Sequence, residues 1–301
     1  MKQRKFQGAA RIILLGAATL FLCAMSVLFL TPIVLTLTNS FMSQTEIASN
    51  YGKIFDSVTS AGTYVSDKVN LKIIPDLISF SQYETVLLKS PDYLFKFWNS
   101  VILVVPIVVF QSLVALLAAY GFARFDTKWR NAIFFAYIIL MLMPYQVTLV
   151  PNYLVADWLG ILDTRWAIIL PGIFSPFAVF ILTKFMRRIP SSVIEAAKLD
   201  GAGEWQIFTK ICAPMSGGIV TSVAILVYID YWNMVEQPLV LLTGEAEALH
   251  PLSVFLSKIN TGDAGVAFCV AAIYMIVPLL IFLYCEDYLV EGVSYSGGLK
   301  G

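Results

Sequence analysis

The residues best placed to do chemistry are Asp230, Tyr231, Trp232 and Asn233, a carboxylate, two aromatic rings and an amide set side by side in an otherwise apolar run over residues 217–242. A charged side chain at membrane depth is costly, so Asp230 is expected to face the interior of a helix bundle and find a donor or water there. Rings beside carboxylate and amide groups can stack on the apolar face of a sugar while exchanging hydrogen bonds with its hydroxyls, as concave ligand sites do. The competing reading is that Asp230 pairs with a neighbouring helix and only fixes packing, and the residue types leave both open. Covalent or metal chemistry has little to work with. His250 is the one histidine, and Cys23, Cys212, Cys269 and Cys285 lack C-x-x-C spacing. No G-x-x-x-x-G-K-[ST] run occurs that could cradle ATP phosphates. The expectation is no catalytic residue, no metal and no cofactor.

A second constellation spans residues 189–218, polar where its flanks are oily. Pro190 suits a first helical turn, Ser192 and Glu195 have capping-box spacing, Ala196 and Ala197 are strong helix formers, and Gly201 with Gly203 ends the run. Trp205, Phe208 and Cys212 recur along one side of a second short helix, which Pro214 is expected to stop. A helix, a glycine turn and a helix with an exposed apolar stripe form a docking element for a soluble partner. Capping alone would account for Ser192, Glu195 and Gly201, but not for the paired alanines or for Ile211 and Pro214 at their fixed distance.

That distance carries a resemblance. Glu195-Ala196-Ala197, three residues, Gly201, nine residues, then Ile211-Cys212-Ala213-Pro214 resembles the EAA loop of ATP-binding-cassette (ABC) importer permeases, with Ala213 where the family usually has leucine. Trp232-Asn233 followed by Pro238-Leu239-Val240-Leu241 is similar to the corresponding span of the carbohydrate-uptake, maltose-type branch. The tail Ser296-Gly297-Gly298-Leu299-Lys300-Gly301 is similar to that branch's ending, from which Glu286, Asp287 and a slightly longer tail depart. The resemblance covers residues 72–301. It implies a type I importer permease fold, with Glu195, Ala196, Ala197, Asp200 and Gly201 coupling to a cytoplasmic ATPase dimer that hydrolyses the ATP. It further implies a second homologous permease in a heterodimer and an extracytoplasmic solute-binding protein. A sugar or oligosaccharide would pass Asp230, Tyr231, Trp232 and Asn233.

The elements that must position these groups follow from composition. Hydrophobic residues make up 58% of the 301 and charged residues 13%, which places the chain among all-α polytopic membrane proteins. Its formal net charge is zero and no basic run is interleaved with aromatics, so nucleic acid is not an expected partner. Apolar stretches at residues 12–38, 97–121, 132–155, 166–186, 217–242 and 265–285 predict six transmembrane helices, each near the length that crosses about 30 Å of hydrocarbon. The first could instead be a signal peptide, but its apolar stretch is longer than the usual ~7–15 residues and no small-residue cleavage site follows. Of the 20 lysines and arginines, 13 fall on the face that carries both termini and residues 189–218. Termini and docking loop are therefore expected on the cytoplasmic side of the inner membrane.

Residues 1–38 are thus read as a tail and first span, and 39–95 as a partly ordered external loop serving as a lid, a docking surface or a plain connector. Residues 96–290 are read as a five-helix core and 291–301 as a cytoplasmic tail. Prolines within the spans are tolerated where neighbours satisfy the freed backbone groups, and Ala115, Ala119 and Gly121 offer small residues for close packing. An ion-coupled carrier is the rival reading, but it would want a relay of intramembrane ionisable groups where Asp230 stands nearly by itself. A membrane-embedded enzyme lacks its constellation. An ABC permease for phosphate, peptide or polyamine stays open, because only the fifth span and the tail favour sugar.

Overall fold

The computed structural model describes residues 2–47, 49–51, 71–258 and 264–297, and every regular element among them is a helix. The end of the tail at residues 298–301, and with it much of the glycine-rich ending, lies outside the described residues, as do residues 52–70 of the external loop. The chain divides into two compact units, one drawn from Met1–Pro91 and Ile259–Ile273, the other from Asp92–Lys258 and Tyr274–Gly301.

Among the described residues, four helices are long and apolar enough to cross a membrane, within Leu14–Asn39, Pro91–Arg124, Trp166–Met186 and Gly265–Asp287. Counting two bent pairs as one span each brings the number to six. One bent pair departs from the single span expected over 132–155. Arg130–Met141 and Tyr145–Trp158 meet at 105°, with the break at Leu142, Met143 and Pro144. Pro144 has no N–H to continue the first helix, and its extended backbone (ψ 141°) turns the chain before the second. At about 1.5 Å per residue, the 12-residue first arm reaches only about 18 Å, short of a crossing by itself. The expected fifth span over 217–242 also changes: its helix is Gly217–Trp232, and Glu236–Leu241 is a separate short helix after a break.

In the first unit, part of the polar segment after residue 38 is ordered around a small core of Met42, Ile47 and Tyr51, packed by Phe268. Lys72 ties the segment together by pairing with Glu46 at 3.0 Å and with Asp76. The two carboxylates stabilise the ammonium form, Asp76 most, and raise the lysine above its usual pKa.

The second unit contains the main core. The Pro91–Arg124 helix presents Leu103, Val104, Ile107, Ala115 and Ala119 to it, all buried, and Ile168, Leu182 and Met186 of Trp166–Met186 meet them there. Close approach at one point needs a missing side chain: a Cβ on Gly172 would sit 3.0 Å from Ile107. At one end of the unit, buried polar groups fix the loops. Asn99 donates to the Ala248 carbonyl at 2.8 Å and accepts from Arg165 at 2.8 Å, and the Leu252 N–H donates to Ser100 Oγ at 2.9 Å. Asp163, with φ 61°, occupies the left-handed region that Asp tolerates better than most, and its Oδ1 accepts from the Thr243 N–H at 2.6 Å. His250, buried, shares a hydrogen bond of 2.9 Å with the Leu242 carbonyl, a structural use of the lone imidazole.

Candidate functional site

The 189–218 stretch is built as two short helices about a glycine. Ser191–Leu199 begins after Pro190, which takes the N-cap position, and no side-chain cap bond forms there. The capping box expected of Ser192 and Glu195 is therefore absent: the helix starts one residue early, Ser192 is already inside it, and its hydroxyl is no longer at the cap. A related contact forms in the second helix, where the Gly203 N–H donates to Gln206 Oε1 at 3.2 Å.

The C-terminal end matches expectation closely. Gly201 has φ 82°, the Gly201 N–H donates to the Lys198 carbonyl at 3.0 Å, and the Ala202 N–H donates to the Ala197 carbonyl at 2.9 Å. This pair of bonds is a Schellman motif, which satisfies the last helical carbonyls and needs a left-handed residue where Gly201 stands. Asp200 is the C-cap residue before it.

Side chains around the turn sort into two sets. Ile194 and Ala197 are buried and join Ile207, Phe208 and Cys212 in the main core. Glu195, Ala196 and Asp200 are exposed, as are Leu199 at 89% and Trp205 at 67%. The apolar stripe expected from Trp205, Phe208 and Cys212 is thus split, because the backbone widens into a π turn over Phe208–Cys212 and turns the latter two inward. Nor does Pro214 stop this helix. It sits in the helical turn Ala213–Met215 just after the π turn, where its missing N–H is accommodated, and the chain bends at Ser216 instead. The most exposed apolar residues of the two helices and their turn are Leu199 and Trp205, one on each side of Gly201.

Four residues that sequence spacing did not single out hold the turn in place. Lys198 pairs with Glu204 at 2.7 Å across Gly201, and the Tyr120 hydroxyl donates to the other Glu204 oxygen at 2.6 Å. The Lys198 ammonium first, then the Tyr120 hydroxyl, keep the Glu204 carboxyl below the usual carboxylate range. Tyr120 also meets the Phe208 ring edge-on at 5.1 Å. Arg124, one turn further along, donates to the carbonyls of Met186 at 3.1 Å and Ile189 at 3.3 Å, where the stretch begins. The end of the Pro91–Arg124 helix thereby anchors both arms of the turn.

The Asp230–Asn233 cluster is divided by the structure. Trp232 is 1% exposed, stacked between Tyr228 and Tyr274 at 5.3 and 5.2 Å, with Phe97 edge-on at 5.9 Å. Its Nε1 donates to the Tyr274 carbonyl at 3.3 Å, and the Tyr274 hydroxyl donates to the Trp232 carbonyl. Asn233 is exposed at the helix end, and its amide donates to Ile229 at 2.8 Å. Asp230 and Tyr231 instead line a cavity of about 550 Å³. Gln111, Tyr145, Asn152 and Gln237 share its wall. Gln111 was visible in the sequence as a polar residue within a span. The other three needed the break at Pro144 and the short helix after Trp232 to be brought in.

With this geometry in hand, likeness to known proteins becomes informative. The sequence profile of the family described as binding-protein-dependent transport system inner membrane component matches residues 85–295. The arabinooligosaccharides transport system permease protein AraQ of Bacillus subtilis is 29% identical over 287 residues, 95% of each chain. A bacterial ABC transporter involved in the import of the acidic polysaccharide alginate has a chain that superposes with a TM-score of 0.72 at 24% identity, covering 92% of this chain and 96% of its own. The alginate transporter in complex with its alginate pentasaccharide-bound periplasmic protein matches with a TM-score of 0.56 at 17% identity, covering 70% of this chain and 82% of that one.

Proposed function

This chain belongs to the family of binding-protein-dependent transport system inner membrane components, and from that premise we propose that it is a permease subunit of an ABC importer for a sugar or oligosaccharide. It forms half of the membrane pathway, a second homologous permease forms the other half, a solute-binding protein delivers the sugar, and a cytoplasmic ATPase pair drives the change of access. Sugar is favoured by relatives such as AraQ, whose name gives arabinooligosaccharides, and by a largely apolar cavity with aromatic walls and a few polar groups. The binding-protein partner is supported by the family description and by the alginate transporter's complex. Both termini and residues 189–218 lie on the cytoplasmic side in this reading, in keeping with 13 of 20 basic residues on that face.

The observation that carries the coupling role is the Gly201 turn. It presents Glu195, Leu199 and Trp205 outward while Ile194, Ala197 and the Tyr120–Glu204–Lys198 chain bind its inner face to the core. A push on the outward face is passed to the Pro91–Arg124 helix through short, directional contacts. That helix also carries Gln111 of the cavity wall. Glu195, Ala196, Asp200 and Gly201 form the ATPase-facing element, Ala197, expected among them, packs into the core beneath it, and Asp230 and Tyr231 border the solute. Trp232 and Asn233, expected beside them on the route, serve here through packing and the end of the helix.

Co-purification of the ATPase, followed by ATP hydrolysis in reconstituted membranes with and without loaded binding protein, tests this. Glu195→Ala should leave the chain in the membrane but release the ATPase or abolish stimulation. Full retention with full stimulation would remove residues 189–218 from the coupling role.

A further inference from the structure

The cavity wall that holds Asp230 carries one formal charge, and it is negative. Among the residues that line it there is no lysine, arginine or histidine. No ion pair or hydrogen bond engages the Asp230 carboxylate among the described residues. A charge flanking the wall repeats the sign: Glu236, beside Gln237 of the wall, accepts from the Gln146 amide at 3.1 Å, next to Tyr145. A carboxylate kept at this depth without a cation is costly and needs a compensating partner when solute or water occupies the site.

A second group in the wall is also unsatisfied. Gln111 is 2% exposed, and its Oε1 has no hydrogen-bond partner among the described residues. A buried acceptor left open in this way is expensive, and a hydroxyl or an ammonium can fill it whereas a carboxylate cannot. Gln111 and Asp230 thus present acceptors to the same space. Tyr145, Asn152, Tyr231 and Gln237 supply groups that can donate, and Phe174 and Pro171 supply apolar surface.

We infer that this wall selects solute by charge, taking a sugar that is uncharged or bears an amine and rejecting a uronate, with Asp230 as the specificity-determining residue. Asp230 is exposed to the cavity, where a like charge brought against it is repelled, and such repulsion is a common source of discrimination. The inference rests on the importer reading above and narrows its substrate. It also separates this chain from the alginate transporter, whose substrate is acidic: a likeness at 24% identity extends to the fold, and the charge of the wall belongs to this chain.

The test uses the complete complex, this chain with its partner permease and ATPase, in lipid nanodiscs. Three trisaccharide probes share one ring skeleton, built from galactose, galacturonate and galactosamine, and equilibrium retention of each is measured. The wild type should retain the galacturonate probe at least about tenfold more weakly than the galactose probe. Asp230→Asn should narrow that ratio to about twofold, and Asp230→Ser gives the same reading should the first variant fail to assemble. Gln111→Leu should weaken the galactose and galactosamine probes without admitting the uronate. Equal or tighter retention of galacturonate by the wild type, an unchanged ratio in the Asp230 variants, or retention of none of the three probes would overturn the inference. Failure of the importer reading is separately visible, because the chain would then not co-purify with an ABC ATPase.

Discussion

The Lys198 ammonium and the Glu204 carboxylate stand 2.7 Å apart on opposite sides of the Gly201 turn, and the same carboxylate accepts the Tyr120 hydroxyl. The ion pair itself is half-exposed on both sides, so its own contribution is small, about 0.2–1 kcal/mol. The bond to Tyr120, made to a charged acceptor and partly buried, contributes about 1.5–3 kcal/mol. Lys198→Ala should therefore barely alter thermal unfolding of the complex, whereas Glu204→Ala should lower its midpoint and blunt ATPase stimulation. The pH dependence has a definite sign. A carboxyl whose folded pKa lies below its unfolded value near 4.3 stabilises above that value and stops doing so as pH falls through the folded pKa. Stimulation should hold steady between about pH 5 and 8 for this reason, and equal losses in Lys198→Ala and Glu204→Ala would refute the division of labour.

Gly201 has a left-handed backbone, and a Cβ added there would meet nothing within 4 Å. The cost of replacing it is thus conformational, with no steric part: about 1–2 kcal/mol for Ala and less for Asn, which tolerates the left-handed region. Gly201→Ala should lower the unfolding midpoint by more than Gly201→Asn, and Asn should keep more coupling. A ranking by side-chain size, with Asn worse than Ala, would point to a clash in the assembled complex instead.

Orientation in the membrane is checked with single cysteines in a background lacking Cys23, Cys212, Cys269 and Cys285. Cysteines at Lys2 and Lys198 should resist an impermeant thiol reagent in intact cells, and one at Glu247, in the turn Gly244–Leu249, should label. Labelling at Lys198 would put the Gly201 turn on the wrong side for an ATPase.

How much of this was legible in the sequence depended on range. The Gly201 turn could be read because its determinants lie within about ten residues: helix formers, then a glycine where only a left-handed residue closes the Schellman bonds. The clamp could not, since Lys198 and Glu204 are six apart, off any helical spacing, and Tyr120 is 84 residues from Glu204. Pro144 was visible as a proline within an apolar stretch, but a tolerated kink and a 105° break have the same local signature. The difference lies in what the second arm packs against. Asp230 and Trp232 looked alike as features of one cluster. Two residues apart on a helix they point in different directions, and only the positions of Phe97 and Tyr274 determine which of the two enters the core.

That placement changes what Trp232→Ala should do. As a solute contact, its loss would lower uptake and leave assembly intact. As a ring buried among Tyr228, Tyr274 and Phe97, its truncation leaves a large cavity and removes the Nε1 bond to Tyr274, at a cost of about 3–5 kcal/mol. Trp232→Ala should therefore reduce the amount of complex recovered from membranes, and Trp232→Phe, which keeps the stacking but not the N–H, should recover most of it. Uptake per recovered complex should stay near the wild-type value in Trp232→Phe. Normal recovery of Trp232→Ala with selectively lost uptake would return this ring to the solute pathway.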